Sequence, residues 1–224
     1  MIAQVVNTKP VPRTNSRALR IFSSIASFVL HPLVIVTYIT IALYNLSANG
    51  FSAVDERRFL EWTGILFLST VFFPFLAILI LRLTGLISDA FMHAPKDRIL
   101  PLTATLIFYV WAFYFFEHKA LAPLLLKSLL LGAIFSIILD FFINIFYKVS
   151  VHTTSAGMMP GNILALMIIE PSTPPSIFVV ATIAAILVGL IRWWLGAHTL
   201  GQILLGYSIG ISMQLIAYLI LRPV

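Results

Sequence analysis

The chain reads as all-α, a polytopic transmembrane helical bundle of six or seven spans. Of its 224 residues, 60% are hydrophobic and only 10% are charged, whereas a soluble domain has about a quarter of its residues charged. Mean hydropathy is +1.03. The apolar residues fall into long stretches, several near the roughly 20 residues that cross a bilayer. There is no cysteine, which removes a disulfide framework, thiol nucleophiles and thiolate metal sites. The net charge of +6 suits anionic lipid surfaces. No basic run interleaved with aromatics stands outside the apolar stretches, so nucleic acid is not an expected partner.

Residues 1–20 are polar and carry Pro10, Pro12 and the cations Lys9, Arg13, Arg17 and Arg20. They read as a basic disordered tail. A cleavable signal peptide is not expected, because the apolar stretch that follows is too long and lacks a small-residue cleavage site. Residues 21–224 read as a single transmembrane domain, with helices near 21–44, 60–83, 100–117, 122–147, 155–170, 176–191 and 200–221. The first holds His31-Pro32, which predicts a kink. The third and fifth are short, so a tilted or re-entrant segment leaves six and seven spans both open.

This order of helices has a consequence for function. Two helices separate Lys96–Pro101 from Lys148–His152, and two more separate that segment from Arg192–His198. Each pair returns the chain to the side it left, so the three polar segments are expected at one membrane face. That side, with the N-terminus, holds nine of the Lys and Arg residues and the other side five. The positive-inside rule then places the site at the cytoplasmic face of an inner or plasma membrane.

The chemistry concentrates in Arg192-Trp-Trp-Leu-Gly-Ala-His198-Thr-Leu-Gly-Gln202 and in Lys148-Val-Ser150-Val-His152. Ionisable side chains next to apolar spans are costly and mark functional sites. Two basic residues, each close to a histidine, point to an anion, above all a phosphate: a guanidinium is forked for bidentate phosphate contact. Imidazole is the side chain best placed to attack or to donate a proton near neutral pH. His198 and Gln202 share a face if a helix starts near 198, and such a helix start presents free N–H groups to an anion.

These segments resemble the signatures of the type 2 phosphatidic acid phosphatase superfamily. The third signature, S-R, five residues, H, three residues, D, stands here as Ile191-Arg192, five residues, His198, three residues, Gln202. The second, P-S-G-H, is similar to Val149-Ser150-Val151-His152, and the first, K, six residues, R-P, is matched only by Lys96-Asp97-Arg98-Ile-Leu-Pro101. The resemblance covers about residues 60–221 and marks a divergent member. It implies a lipid phosphatase that needs no metal or other cofactor. His198 would attack phosphorus and form a phosphohistidine, His152 would protonate the leaving alcohol, and Gln202 would stand where an Asp orients the nucleophile. Arg192, Ser150 and a cation of the first segment, Lys96 or Arg98, would bind the phosphoryl oxygens, with Lys148 beside them. The partners implied are a phosphorylated lipid substrate (phosphatidate, a polyprenyl phosphate or a glycolipid phosphate) and membrane lipids.

Gln brings no charge where the family has Asp. Asp140 could take that place, since Asp140, Asn144 and Lys148 follow at i, i+4 and i+8 and are expected on one helix face. Two rival functions follow: a catalytically silent relative that binds phosphorylated lipid, favoured by Gln202, and a transporter whose path Asp140, Asn144 and Lys148 would line. Taken singly, the residues also have structural readings. Arg192 beside Trp193 and Trp194 suits an interfacial anchor, Ser150 a helix cap, Lys148 a snorkelling lysine and Gln202 a packing amide. His31, His93 and His118 have no partner in the sequence and read as structural or surface residues. Gly196, Gly201, Gly206 and Gly210 read as close helix packing.

Overall fold

Proline and glycine punctuate this chain more than polarity does, and they set where its helices break. The computed structural model describes residues 12–13, 16–47, 49–87, 96–118, 120 and 122–223. Among them every regular element is helical. The kink expected at His31-Pro32 is a full break. Helix α1 (Arg17–Val29) and helix α2 (Pro32–Leu46) meet at 65°. Pro32 starts α2, where its missing N–H costs nothing, and the His31 ring nitrogen Nδ1 accepts from Leu33 N at 3.3 Å as the N-cap. α1 starts at Arg17, capped by Ser16, so the end of the expected basic tail is helical; residues 1–11 and 14–15 lie outside the described residues.

The second apolar rod, Glu56–Leu83, comes in three pieces: α3 (Glu56–Phe67), a π-helical turn (Leu68–Phe72) and α4 (Phe73–Leu83). Pro74 explains the middle piece. It lacks the N–H that would donate to the Thr70 carbonyl, and its ring crowds that oxygen. A widened turn relieves both effects. The remaining helices are α5 (Lys96–His118), α6 (Leu124–Phe146), α7 (Val151–Ile169), α8 (Pro175–Trp194) and α9 (Leu200–Leu221). α5 and α7, expected to be short, run 23 and 19 residues. α6 ends at Phe146, so Lys148 lies beyond the helix and does not continue the face of Asp140 and Asn144.

Five of these rods are long and apolar enough to cross a membrane, or six if the α1–α2 pair is one broken span. They are compatible with an integral membrane protein. α7 is not among them. It is the enclosed helix, packed by α2, α6, α8 and α9, and its first half carries buried Thr153, Thr154 and Ser155.

Glycine lets α7 and α9 touch backbone to backbone. A Cβ on Gly206 would strike the Thr153 hydroxyl, and one on Gly210 would strike the Thr154 carbonyl oxygen. Only a hydrogen fits at such approaches, so the packing expected for these two glycines is what they do. The far end of α7 is anchored by Glu170. Its carboxylate accepts from the Ser47 hydroxyl and from the N–H groups of Asn49 (3.1 Å) and Gly50 (3.0 Å). The near end of α7 faces the polar segments.

Candidate functional site

At that end four pieces of chain converge: the start of α5, the α6–α7 turn, the α8–α9 turn and the α1–α2 break. Each is shaped by local sequence. α8 closes with Gly196 at φ +66, a left-handed conformation that only glycine adopts cheaply. Gly196 N donates to Trp193 O (3.0 Å) and Ala197 N to Arg192 O (3.1 Å), which is the pair of bonds of a Schellman stop. Two residues later Thr199 caps α9 in a reciprocal capping box with Gln202. Between the stop and the cap, His198 is buried.

The capping box settles a protonation question. The N–H of Thr199 donates to Gln202 Oε1 at 3.2 Å, so the amide oxygen, not its nitrogen, faces this turn. The same oxygen lies 3.0 Å from His198 Nδ1. An amide oxygen only accepts, so Nδ1 carries the proton and donates. The Nε2 lone pair is left available for attack. Gln202 thus bonds the residue that the resemblance pairs it with, and Asp140 is engaged elsewhere.

The cations gather around this histidine. Burial first, then the positive charges of Arg192, Lys148 and Arg98, push the His198 ring down to about 3, against the pull of its bond to Gln202. The imidazole is therefore neutral at ordinary pH. Burial, followed by the guanidiniums of Arg98 and Arg192, holds the Lys148 ammonium below the usual lysine range. Lys148 Nζ donates to Ala197 O at 3.1 Å, tying the α6–α7 turn to the residue before His198. Arg98 and Arg192 repel the Lys148 ammonium, and all three cations act on His198. Asp140 offsets part of the charge at Arg98, and an anion among the cations would relieve the rest.

Arg98 is held by the end of α6. Its Nη1 donates to Asn144 Oδ1 (2.8 Å) and to Val149 O (3.3 Å), while Asn144 Nδ2 donates to Asp140 O (2.7 Å). The Asp140 carboxylate accepts from Thr154 Oγ1 at 3.0 Å, so it braces α6 against α7. On the other side Arg192 Nη1 donates to Ser27 Oγ at 2.7 Å, and that hydroxyl lies 3.4 Å from His152 Nε2. The rings of His31 and His152 meet edge to face with centroids 5.5 Å apart.

Most of the residues singled out in the sequence are brought together: Arg98, Lys148, Arg192, His152, His198 and Gln202. Ser150 is fully buried as the N-cap of α7, with its hydroxyl accepting from Thr153 N at 3.4 Å. Lys96 begins α5, but its side chain, like His93, lies outside the described residues. Ser27 and His31 were missed. His31 had a weak signal, a histidine directly before a proline that starts a helix; Ser27 had none. No group of three or more His, Asp or Glu side chains that could hold a metal ion occurs among the described residues.

Comparison with known proteins adds no relative: no family model, no curated protein and no solved structure matches this chain.

Proposed function

We propose that this chain is a divergent membrane lipid phosphatase of the type 2 phosphatidic acid phosphatase kind, which hydrolyses or transfers the phosphate of an amphiphile such as phosphatidate, a polyprenyl phosphate or a glycolipid phosphate. The observation that carries the reading is the convergence of Arg98, Lys148 and Arg192 on a neutral His198. Phosphoryl transfer asks mainly for positioning and charge stabilisation, and forked or point cations around a neutral imidazole supply both. In this reading His198 Nε2 attacks phosphorus, while the three cations hold the phosphoryl oxygens. His152, which burial and the charge of Arg192 hold neutral in the resting protein, takes up a proton as the anionic substrate binds and gives it to the leaving alcohol oxygen. It takes a proton back from the water that releases phosphate from the phosphohistidine. The apolar helices keep the tail of the substrate out of water, and the site faces the cytoplasm.

A second reading has one observation behind it: Gln202, which brings no charge to His198, favours a silent relative that binds phosphorylated lipid without turnover. Phosphate release by purified protein from a panel of phosphorylated lipids, beside His198→Ala, separates the two. Release by the wild type and none by the variant supports the enzyme. Silence from both, with phosphorylated lipid still bound, leaves the binder; equal release from both removes His198 from the reaction.

A further inference from the structure

Helix α1 turns much of its apolar surface outward. At about 100° per residue, Ser23 and Ser27 fall on one side of the helix and Ile21, Ile25 and Phe28 on the other, while Arg17, Arg20 and Ser24 are exposed as well. A helix at a water-exposed surface turns its apolar side inward. Here Ser23 is fully buried, with a hydroxyl that has no partner, while Phe28 is 77% exposed and Phe22 and Ile25 are 59% exposed. A hydrocarbon surround suits these exposed apolar side chains. Its 13 residues, about 20 Å, are too short to cross a bilayer alone, and the 65° break separates it from α2.

Its attachments are few and polar. α1 packs chiefly on α8. Just before its start, Arg13 N donates to Trp194 O at 2.9 Å, and the Arg13 guanidinium lies over the Trp193 ring at 5.0 Å. At its end the Ser27 hydroxyl sits between Arg192 and His152. Arg192 uses one arm of its fork on Ser27, while its buried Nε has no hydrogen-bond partner. A phosphoryl group engages both arms of a guanidinium side by side. The Ser27 oxygen therefore holds one of the places that a phosphoryl oxygen needs.

We propose that α1 is a lateral gate of the anion site: bilayer hydrocarbon covers its outer face, and an incoming phosphoryl oxygen takes the place of Ser27 Oγ between Arg192 and His152. The proposal rests on the reading of Arg192 as a phosphoryl ligand and of His152 as the proton donor beside it. It gives an amphiphile a route into the site, because α1 lies beside Arg192 and His152 and packs chiefly on the single helix α8. The Ser27 hydroxyl and a phosphoryl oxygen both accept from Arg192 Nη1, so the exchange leaves that donor paired.

The absence of native cysteine allows a clean test on the full chain in phosphatidylcholine vesicles. Phe28→Cys, labelled with an environment-sensitive dye, should emit as in hydrocarbon and be quenched by lipids brominated on their acyl chains. Water-like emission quenched by iodide overturns the gate. In the same vesicles Ser27→Ala should bind inorganic phosphate at least about tenfold more tightly than wild type, the worth of one hydrogen bond from a charged donor no longer displaced. Equal or weaker binding overturns the exchange. If the wild type binds no phosphate at all, the functional reading itself fails and the gate falls with it.

Discussion

Replacing Gln202 by leucine takes one acceptor away from two donors, the Thr199 N–H at 3.2 Å and His198 Nδ1 at 3.0 Å. A neutral hydrogen bond is worth about 0.5–1.5 kcal/mol, and one from a charged donor about 1.5–3 kcal/mol. In the resting protein the bond fixes the tautomer with Nε2 unprotonated. In the proposed reaction the ring carries positive charge once it has attacked phosphorus, and the same bond strengthens. Gln202→Leu should therefore lower turnover by about 10- to 150-fold, since each 1.4 kcal/mol is about tenfold in rate. Loss of the capping box should also cost about 1 kcal/mol of helix stability, so the rate must be normalised to folded protein. Gln202→Glu keeps the reach and the capping box and adds the missing charge; its turnover should equal or exceed wild type. The assay is phosphate release from short-chain phosphatidate in detergent micelles. Wild-type turnover by Gln202→Leu, with His198→Ala inactive, refutes the tautomer argument.

Three further predictions follow from the same geometry. The His198 ring titrates near 3 in the fold against about 6.5 when unfolded, so the fold favours the neutral form. This contribution is full above about pH 6.5 and is lost towards pH 3, at about 1.4 kcal/mol per pH unit within the window; thermal denaturation should fall more steeply from pH 7 to 4.5 in wild type than in His198→Asn, and equal falls contradict it. Gly210→Ala meets the Thr154 carbonyl and should destabilise by about 1–3 kcal/mol, whereas Gly64→Ala meets nothing within 4 Å and should stabilise by about 0.5–1 kcal/mol; thermal scans of the two variants check the contrast. Asn144→Leu removes the 2.8 Å acceptor of Arg98 Nη1 and should raise KM for phosphorylated lipid about tenfold or more; an unchanged KM would show that Arg98 takes no part in binding.

Composition alone fixed the helical class, because so apolar a chain has few other ways to satisfy its backbone. His31-Pro32 announced a break but not its size, since a proline at the first position of a helix is compatible with a gentle kink or a complete turn. The His198–Gln202 pair was legible from its spacing, but the contact is not a helical turn: α9 starts at Leu200, and the Gln202 side chain reaches back over the Thr199 cap to His198. Lys148 was assigned to a helix face that does not reach it, as α6 stops at Phe146 once the Asn144 side chain turns to Arg98 and to Val149 N. Ser27 was illegible in principle. A serine in an apolar run acquires meaning only through partners 125 and 165 residues away in the chain, and no local spacing encodes those contacts. Asp140 stood out as a buried acid, yet its role as a brace through Thr154 depends on how α6 and α7 pack.

Whether His198 is the group that attacks phosphorus is decided by quenching the protein during turnover of a 32P-labelled lipid phosphate and mapping the label. A base-stable, acid-labile phosphohistidine is expected on the peptide that holds His198, absent in His198→Ala and slower to form in Gln202→Leu. Phosphate release at the wild-type rate with no label at His198, or with label on another residue, would contradict it.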